Sequence, residues 1–283
     1  MVDLGAFLLA GGGMAALGTG LAVMLALANR ALYVAEDPRI DAVEAMLPQA
    51  NCGACGYPGC RAFAEAVVSG EATPGRCPAT PAATIAAYLG VEAGVQERRV
   101  ARLACAGGRD VARRHAVYEG IASCRAAALI AGGGKACPWG CLGYGDCAAA
   151  CPFDAISMNE QDLPVVDEDR CTACGICVSI CPKDLFTLHP VEHRLWVACK
   201  SRLAGKGART QCDAACIGCG LCAKDAPEGL IEMRDSLPVV DYDKNELATP
   251  DAIQRCPTGA IVWLDAEKGP IRGEKARKVA AQT

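Results

Sequence analysis

The sequence predicts an α+β protein with a single N-terminal transmembrane helix, a small four-cysteine domain, and then repeated units of short strands and helices. Three observations lead to this prediction: an uncharged apolar stretch near the N-terminus, twenty cysteines among 283 residues, and a pentapeptide that occurs twice. A chain of this length has room for two or three domains. These features divide the chain into an anchor and a cysteine-rich remainder.

Residues 4–28 carry no charge and are dominated by Leu, Ala, Val, Met and Gly. A stretch of this length crosses a hydrocarbon core of about 30 Å as a helix. Asp3 precedes the stretch while Asn29 and Arg30 follow it, so the positive-inside rule predicts that the C-terminal bulk lies in the cytoplasm. A cleaved signal peptide is the alternative, but it requires a basic n-region and a shorter apolar run. We therefore expect one span through the lipid bilayer of the cytoplasmic membrane.

The twenty cysteines indicate metal binding rather than disulfides. Disulfide frameworks dominate in small secreted domains, whereas many of these cysteines fall in Cys-x2-Cys runs, a spacing that suits ligation of a metal centre. The net charge of −4 and the 5% content of aromatic residues exclude the basic patch and the stacking platforms typical of nucleic-acid-binding proteins. We expect reduced thiols, bound metal and no nucleic-acid partner.

The first cysteine group has the spacing Cys-x2-Cys-x4-Cys-x16-Cys and consists of Cys52, Cys55, Cys60 and Cys77. Four thiolates, three of them on one tight loop, suit a [4Fe–4S] cluster, and the glycines between them let backbone amides point at sulfur. A structural zinc site is the alternative, although two separated pairs are more typical of zinc than a triplet followed by a Cys-Pro. The spacing therefore favours an iron–sulfur site.

From Cys137 onward the chain repeats itself, because Leu-Pro-Val-Val-Asp occurs at 163–167 and again at 237–241. This pattern is typical of bacterial-ferredoxin-like repeats, in which the fourth cysteine of Cys-x2-Cys-x2-Cys-x3-Cys-Pro binds the other cluster. The second motif fits fully and the first is stretched. Exchanging the fourth cysteines predicts one cluster on Cys137, Cys141, Cys147 and Cys181, and another on Cys171, Cys174, Cys177 and Cys151.

A third motif has lost one of its two clusters. It begins with Cys216, Cys219 and Cys222 but has Ala226 before the proline, and its partner motif keeps only Cys256. By the crossover rule, Ala226 would have served the same cluster as the missing partner cysteines. One cluster is therefore expected here, on the four cysteines that remain.

Four cysteines are left over, namely Cys105, Cys124, Cys199 and Cys212. Four is the number that a further [4Fe–4S] cluster requires. The alternative is that they are free buried thiols, since cysteine behaves as a small hydrophobe in cores. Cys137, whose motif has the loosest spacing, is a candidate to exchange roles with one of the four. The sequence thus predicts four clusters from motifs and a fifth from the leftover cysteines.

Two other motifs do not predict a ligand site. Residues 132–135 read Gly-Gly-Gly-Lys but lack the following Ser or Thr and the first glycine of a phosphate loop, so a turn is expected. His189 and His193 are separated by a stretch containing Pro190, which breaks the helical spacing of a metal-binding pair. No Gly-x-Gly-x-x-Gly follows a strand, so we expect no Rossmann-type flavin or nicotinamide site and no catalytic acid, base or nucleophile.

The chain contains an N-terminal span, then the Cys52 to Cys77 unit, and then ferredoxin repeats. This order resembles that of the B subunit of the Rnf electron-transport complex, in its longer form with extra cysteines. The resemblance covers essentially the whole chain. It implies an electron-relay subunit of a ferredoxin:NAD oxidoreductase-type translocase, with soluble ferredoxin and other membrane and peripheral subunits as partners. The alternatives are the iron–sulfur subunit of another membrane oxidoreductase, which usually carries an intact four-motif array, and a cluster-based redox sensor.

The predicted domains follow the same order along the chain. They are a transmembrane anchor at 1–30, a four-cysteine [4Fe–4S] domain at 36–90, a linker or accessory region with cluster ligands at 91–136, a two-cluster ferredoxin-like domain at 137–195, a degenerate one-cluster ferredoxin-like domain at 196–265, and a basic tail at 266–283.

Overall fold

The computed structural model describes residues 4–32 and 36–277, so Asp3 and the last six residues of the predicted basic tail lie outside it. The α-helices within the described residues are α1 (Leu4–Leu32), α2 (Pro38–Met46), α3 (Cys60–Ser69), α4 (Ala82–Leu89), α5 (Cys124–Leu129), α6 (Asp146–Ala149), α7 (Ile176–Ile180), α8 (Gly205–Gln211), α9 (Leu221–Asp225) and α10 (Asp251–Gln254).

All strand pairs in the described part of the chain are antiparallel, and they form four small sheets. The strands are β1 (Arg99–Leu103), β2 (Ile156–Met158), β3 (Pro164–Val166), β4 (Phe186–Pro190), β5 (Leu195–Val197), β6 (Ile231–Arg234), β7 (Leu237–Val240), β8 (Ile261–Asp265) and β9 (Gly269–Arg272). β1 pairs with β4, β2 with β3, β6 with β7, and β8 lies between β5 and β9. This mixture of helices and antiparallel strands confirms the predicted α+β class.

The chain divides into two compact units, the first ending at Ala42 and the second beginning at Val43. The first unit is dominated by α1, in which Gly11–Leu32 is long and apolar enough to cross a membrane. None of this window is buried within the protein, and Met14 and Leu17 are each 77% exposed. The side chains of a helix that contacts lipid are exposed in this way, whereas the apolar side chains of a core helix are covered by protein.

The second unit begins with a small helical part in which α3 packs through Phe63 and Val67, both buried. The helix ends at Gly70, whose φ of 84° places it in the left-handed region that favours glycine. The Gly70 amide donates to the carbonyl of Val67. Arg61 of α3 pairs with Glu44 at 2.8 Å, so α2 and α3 are held together beside the first cysteine loop.

The two copies of Leu-Pro-Val-Val-Asp include the second strands of two equivalent hairpins, β2–β3 and β6–β7. The aspartate that closes each copy accepts backbone hydrogen bonds from the turn that follows it, at Asp167 and Asp241. The first copy leads directly into Cys171, whose amide donates to the Asp167 carbonyl at 2.9 Å. The repeated pentapeptide therefore forms the strand and turn that precede a cysteine motif.

Two side-chain hydrogen bonds connect secondary-structure elements across the repeats. The Trp196 indole in β5 donates to the carbonyl of Leu103 in β1 at 2.8 Å. The Tyr242 hydroxyl donates to the carbonyl of Leu195 at 3.0 Å. The buried apolar side chains form several small groups between the cysteines; one such group contains Phe186, Ile156 and two cysteines. Cysteine-lined cavities thus alternate with small apolar cores.

Candidate iron–sulfur sites

Four cavities in the second unit are each lined by four cysteines. We call these cavities sites B to E. Site B is lined by Cys151, Cys171, Cys174 and Cys177; site C by Cys124, Cys141, Cys147 and Cys181; site D by Cys105, Cys137, Cys199 and Cys212; and site E by Cys216, Cys219, Cys222 and Cys256.

Sites B and E contain the cysteines that the crossover rule groups together. In each, a short helix carries the third cysteine of the motif, Cys177 in α7 and Cys222 in α9. A glycine in the left-handed region precedes each helix, Gly175 with φ 81° and Gly220 with φ 69°. This conformation turns the loop sharply enough for the first two cysteines and the helical one to face a single cavity.

Sites C and D differ from the grouping that the spacing predicts, because Cys124 and Cys137 exchange places. Cys124 begins α5, and the preceding Ser123 hydroxyl donates to the Asp146 carboxylate at 3.0 Å. Asp146 also accepts from the Arg125 amide and is the first residue of α6. The start of α5 is therefore fastened to the helix that carries Cys147, which brings Cys124 into site C.

Cys137 is directed into site D by backbone pairing on its N-terminal side. The Ala136 amide donates to the Arg113 carbonyl at 2.9 Å, and the Arg113 amide donates to the Gln211 carbonyl at 2.8 Å. Ala112 and Cys212 form an antiparallel bridge in the same segment. These contacts place Cys137 opposite Cys212, and away from the Cys141 to Cys151 motif to which its position in the sequence assigned it.

Site D has an internal near-symmetry that relates the two repeats. Cys105 follows β1 in the sequence Leu-Ala-Cys, and Cys199 follows β5 in the sequence Val-Ala-Cys. Cys137 and Cys212 each stand four residues before a cysteine of a neighbouring site, Cys141 and Cys216. Each repeat thus contributes an equivalent pair of cysteines. This repeated pattern is the sequence signal that would have identified the set.

Gly107 fits closely against site D. A Cβ at this position would lie 2.9 Å from the Sγ atom of Cys212 and 3.9 Å from that of Cys105. β1 ends at Leu103, so that Cys105 and Gly107 lie on the loop that lines the cavity. Gly107 is therefore required for the backbone to approach two of the four sulfurs.

Backbone amides donate to cysteine sulfur in the cavities. The amides of Ala155 and Leu185 donate to the cysteines four residues earlier, Cys151 at 3.4 Å and Cys181 at 3.5 Å. These two cysteines are the equivalent Cys-Pro positions of the two motifs. Amide hydrogen bonds to sulfur stabilise thiolate charge and tune the reduction potential of iron–sulfur clusters. The cavities therefore have the donor set that a cluster requires.

Burial raises the pKa of most of the cavity thiols. The pKa is raised to about 12 at Cys177, Cys199 and Cys212, and to about 11 at Cys147 and Cys222. Without metal, such thiols are neutral at neutral pH. Metal ligation deprotonates cysteine and releases the proton, because the positive metal offsets the cost of a buried thiolate. The burial of four thiols around one cavity is understandable if a cationic iron core binds them.

Within the described ranges, no three His, Cys, Asp or Glu side chains lie close enough together to hold a single metal ion. A structural zinc site draws four sulfurs to about 2.3 Å from one ion. A [4Fe–4S] cluster is also held by four cysteine thiolates, but these are spread around a larger core. The arrangement of the thiols around sites B to E fits the cluster and not the single ion.

The first cysteine group, which we call site A, lies on the loop before α3 and near the start of α4. Burial raises the pKa of Cys55, and the nearby thiols of Cys77 and Cys52 add to the rise. Cys60 is the first residue of α3, and its amide donates to the Asn51 side chain at 2.8 Å. The structure thus brings three of the four cysteines together and ties the fourth to the residue that precedes Cys52.

Contacts between neighbouring cysteines arrange the five sites in the order A, B, C, D, E. Between the first three sites, Cys52 adds to the raised pKa of Cys174, and Cys147 adds to that of Cys177. Sites C and D are joined directly, because the Cys141 amide donates to the Cys105 sulfur at 3.3 Å.

The contact between sites D and E repeats the contact between C and D. The Cys216 amide donates to the sulfur of Cys199, also at 3.3 Å. In both contacts a ligand of an outer site is hydrogen-bonded to a ligand of site D. Hydrogen bonds therefore join sites C, D and E, and electrostatic interactions between thiols link site A to site B and site B to site C.

His189 and His193 are adjacent although their spacing is not helical. Their Nδ1 atoms lie 3.3 Å apart, and the His193 ring stacks on Tyr242 at 4.2 Å. Burial lowers the pKa of His189 to about 4, so its ring is neutral at neutral pH. The pair packs β4 against the segment after β7.

Two family models match parts of the chain. The model described as "Putative Fe-S cluster" matches residues 47–79, which include all four cysteines of site A. The model described as a 4Fe-4S dicluster domain matches residues 138–188, which include all the cysteines of sites B and C except Cys124. That match begins one residue after Cys137, consistent with the position of Cys137 in site D.

Curated proteins resemble the chain over most of its length. The B subunit of the Na⁺-translocating ferredoxin:NAD⁺ oxidoreductase complex of Acetobacterium woodii is 42% identical over 84% of this chain and 72% of that protein. The B subunit of the ion-translocating oxidoreductase complex of Methanosarcina acetivorans is 37% identical over 88% and 95%. The corresponding subunit of a proton-translocating complex in Clostridium ljungdahlii is 41% identical over 88% and 89%. The chain belongs to the family of B subunits of the ion-translocating oxidoreductase (Rnf) complexes.

Proposed function

We propose that this chain is the multi-cluster electron-relay subunit of a membrane-bound ion-translocating complex, in which it carries electrons between soluble ferredoxin and the NAD-linked and membrane redox subunits. The succession of neighbouring cysteine sites, with sites C, D and E joined by hydrogen bonds, is the observation that carries the proposal. The names of the relatives support the identity of the complex, since two of them are subunits of ferredoxin:NAD⁺ oxidoreductases.

In this proposal the twenty cysteines hold five [4Fe–4S] clusters, one in each of sites A to E. Clusters bound there supply one-electron chemistry. The residues of the chain supply the rest: thiolates hold the iron, and backbone amides stabilise the sulfur charge. Apolar side chains such as Leu103 and Phe186, which both line site C, keep water from the space between sites. We propose that this relay is divided into units at the domain boundaries predicted from the sequence.

Site E contains the most accessible cysteine. Cys219 of site E is the exposed cysteine of the twenty, whereas the cysteines of sites A to D are partly exposed or buried. Outer-sphere transfer to a separate protein requires a centre near the surface. We therefore place an exchange of electrons with a separate protein at site E.

Iron content tests the number of clusters. Protein purified without oxygen is expected to contain about twenty irons per chain, four for each of five sites. Stepwise reduction followed by EPR should resolve the separate centres and order their potentials. About sixteen irons would remove one of the five sites. Zinc in place of iron would contradict the relay.

We further propose that α1 anchors the chain in the cytoplasmic membrane and that the C-terminal bulk faces the cytoplasm. A variant lacking residues 1–35 is expected to move from the membrane fraction to the soluble fraction with its clusters intact, because the exposed apolar length of α1 is then missing. Cell fractionation with iron analysis provides the measurement. Release of the full-length chain by alkaline carbonate, or retention of the truncated chain in washed membranes lacking the other subunits, would contradict the anchor.

A further inference from the structure

Lys135 lies beside site D and its charge is not neutralised there. Its Nζ atom donates to the carbonyls of Gly107 and Cys141 at 2.5 Å each, and the residue lines the cavity with Cys105 and Cys137. Both acceptors are uncharged. Among the described residues no carboxylate forms an ion pair with Lys135. A full positive charge is therefore held at the boundary between sites C and D.

The chain positions this ammonium group through glycines. Residues 132–134 form a tight turn in which all three glycines have positive φ, and a Cβ at Gly134 would lie 2.2 Å from the Ala116 carbonyl. A Cβ at Gly140 would lie 3.2 Å from Cε of Lys135, so the lysine stem packs on that backbone. The Gly-Gly-Gly-Lys segment, which does not have the pattern of a phosphate loop, directs a lysine toward cysteine sulfur.

Arg272 is a second cation near site D. It lies on β9, and its stem packs closely on Gly259, where a Cβ would be 2.8 Å from Cδ of the arginine. One terminal guanidinium nitrogen is buried without a hydrogen-bond partner. Burial lowers the pKa of Arg272, and the thiols of Cys256 and Cys212 oppose this change. The unpaired nitrogen thus lies near a ligand of site E and a ligand of site D.

A buried cation without a partner is costly. A cluster held by four thiolates is the negative group that would offset that cost, so the unpaired Arg272 nitrogen fits an iron–sulfur cluster at this position. Cations near a cluster also favour its reduced form, because reduction adds negative charge. Hydrogen bonds to the ligand sulfurs act in the same direction.

Amides also stabilise negative charge at site D. Its sulfurs accept amides from both flanking sites, through Cys141 and Cys216, as well as from Ser201. Lys200 lines the same cavity. The electrostatic surroundings of site D therefore favour its reduced form.

We propose that Lys135 and Arg272 raise the reduction potential of site D. The inference rests on the proposed function, because it requires a cluster at site D. One-electron reduction of site D by a neighbouring site would leave that neighbour oxidised by one electron, with no proton transferred.

The test is an EPR-monitored potentiometric titration of the full-length protein, purified without oxygen. Lys135→Met is expected to lower the equilibrium constant for reduction of site D by about tenfold, which corresponds to about 59 mV for one electron. Lys135→Arg, which keeps the charge, is expected to restore most of the shift. Arg272→Met should lower the potentials of this centre and of site E.

Lys244 provides a matched control. Its Nζ also donates to a carbonyl, that of Gly229 at 3.3 Å, but Asp241 lies 3.7 Å away and the residue lines none of sites B to E. Lys244→Met is therefore expected to leave every potential unchanged. The signal of site D is identified as the one that Cys137→Ser abolishes.

Each outcome decides the inference separately from the proposed function. About twenty irons together with an unshifted site D potential in both Lys135→Met and Arg272→Met would overturn the inference and leave the relay intact. About sixteen irons in the unmodified protein, with no centre lost in Cys137→Ser, would remove the cluster at site D and the inference with it. If Lys135→Met fails to assemble the cluster, Arg272→Met and Lys135→Gln decide by the same criterion.

Discussion

Cys124→Ser is expected to give the same spectrum as Cys147→Ser, because both thiols line site C. Cys137→Ser is expected instead to match Cys199→Ser, because both line site D. Each variant should lose about four of about twenty irons, since a cluster that lacks one cysteine ligand is not retained. Iron analysis and EPR of the four variants, prepared in parallel without oxygen, provide the measurement.

The four variants distinguish the two groupings of the cysteines. The crossover rule applied to spacing alone places Cys137 with Cys147, so it expects those two variants to be alike. The structure expects them to differ in which centre is missing. A Cys137→Ser spectrum indistinguishable from that of Cys147→Ser would contradict the grouping in the structure, and loss of no iron in Cys124→Ser would leave that thiol without a role as a ligand.

Phe186→Ala is expected to destabilise the protein by about 3–5 kcal/mol, the usual cost of removing a buried phenylalanine. Phe186 is 2% exposed, begins β4 and packs in a group that includes Cys147 and Cys177. Its removal leaves a cavity between sites B and C that the short helices around it have no side chains to fill. The midpoint of thermal unfolding without oxygen should fall by about 2–4 °C per kcal/mol.

Leu129→Ala is the matched control for this prediction. Leu129 ends α5 and is 84% exposed, so its truncation should change stability by no more than about 0.5 kcal/mol. Cluster absorbance followed through the same thermal ramp separates loss of packing from loss of iron. Equal midpoints for Phe186→Ala and the unmodified protein would show that clusters alone, without the apolar groups between them, hold sites B and C together.

Most of the candidate cluster sites could be predicted because most of their ligands are close in sequence. Sites A, B and E draw three of their four cysteines from a segment of ten residues or fewer, such as Cys171 to Cys177. In sites B and E, a proline follows the fourth cysteine, and the crossover rule assigns that cysteine to its cluster. Local spacing is sufficient for such sites because a short glycine-containing loop has few ways to surround a cavity.

Site D was not predictable by the same means, since its ligands come from four separate segments. Cys105 and Cys199 follow different strands, and Cys137 and Cys212 are placed by the pairing of residues 112–114 with segments far along the chain. The sequence showed that four cysteines were left over, but it placed Cys124 among them and Cys137 outside. The deciding contacts are backbone hydrogen bonds, which are not specific to residue type, so the signal that remains in the sequence is the repeated spacing of the site D cysteines in the two repeats.

The sequence by itself determined the α+β class, the apolar N-terminal helix, and the iron–sulfur character of the cysteine motifs. Composition, hydropathy and short-range spacing are sufficient for each of these. Only the tertiary structure decided that Cys124 and Cys137 exchange cavities, that hydrogen bonds join sites C, D and E, and that Lys135 lies beside site D. The physical reason is that a cavity with ligands and charges from distant segments exists only after backbone pairing has brought those segments together.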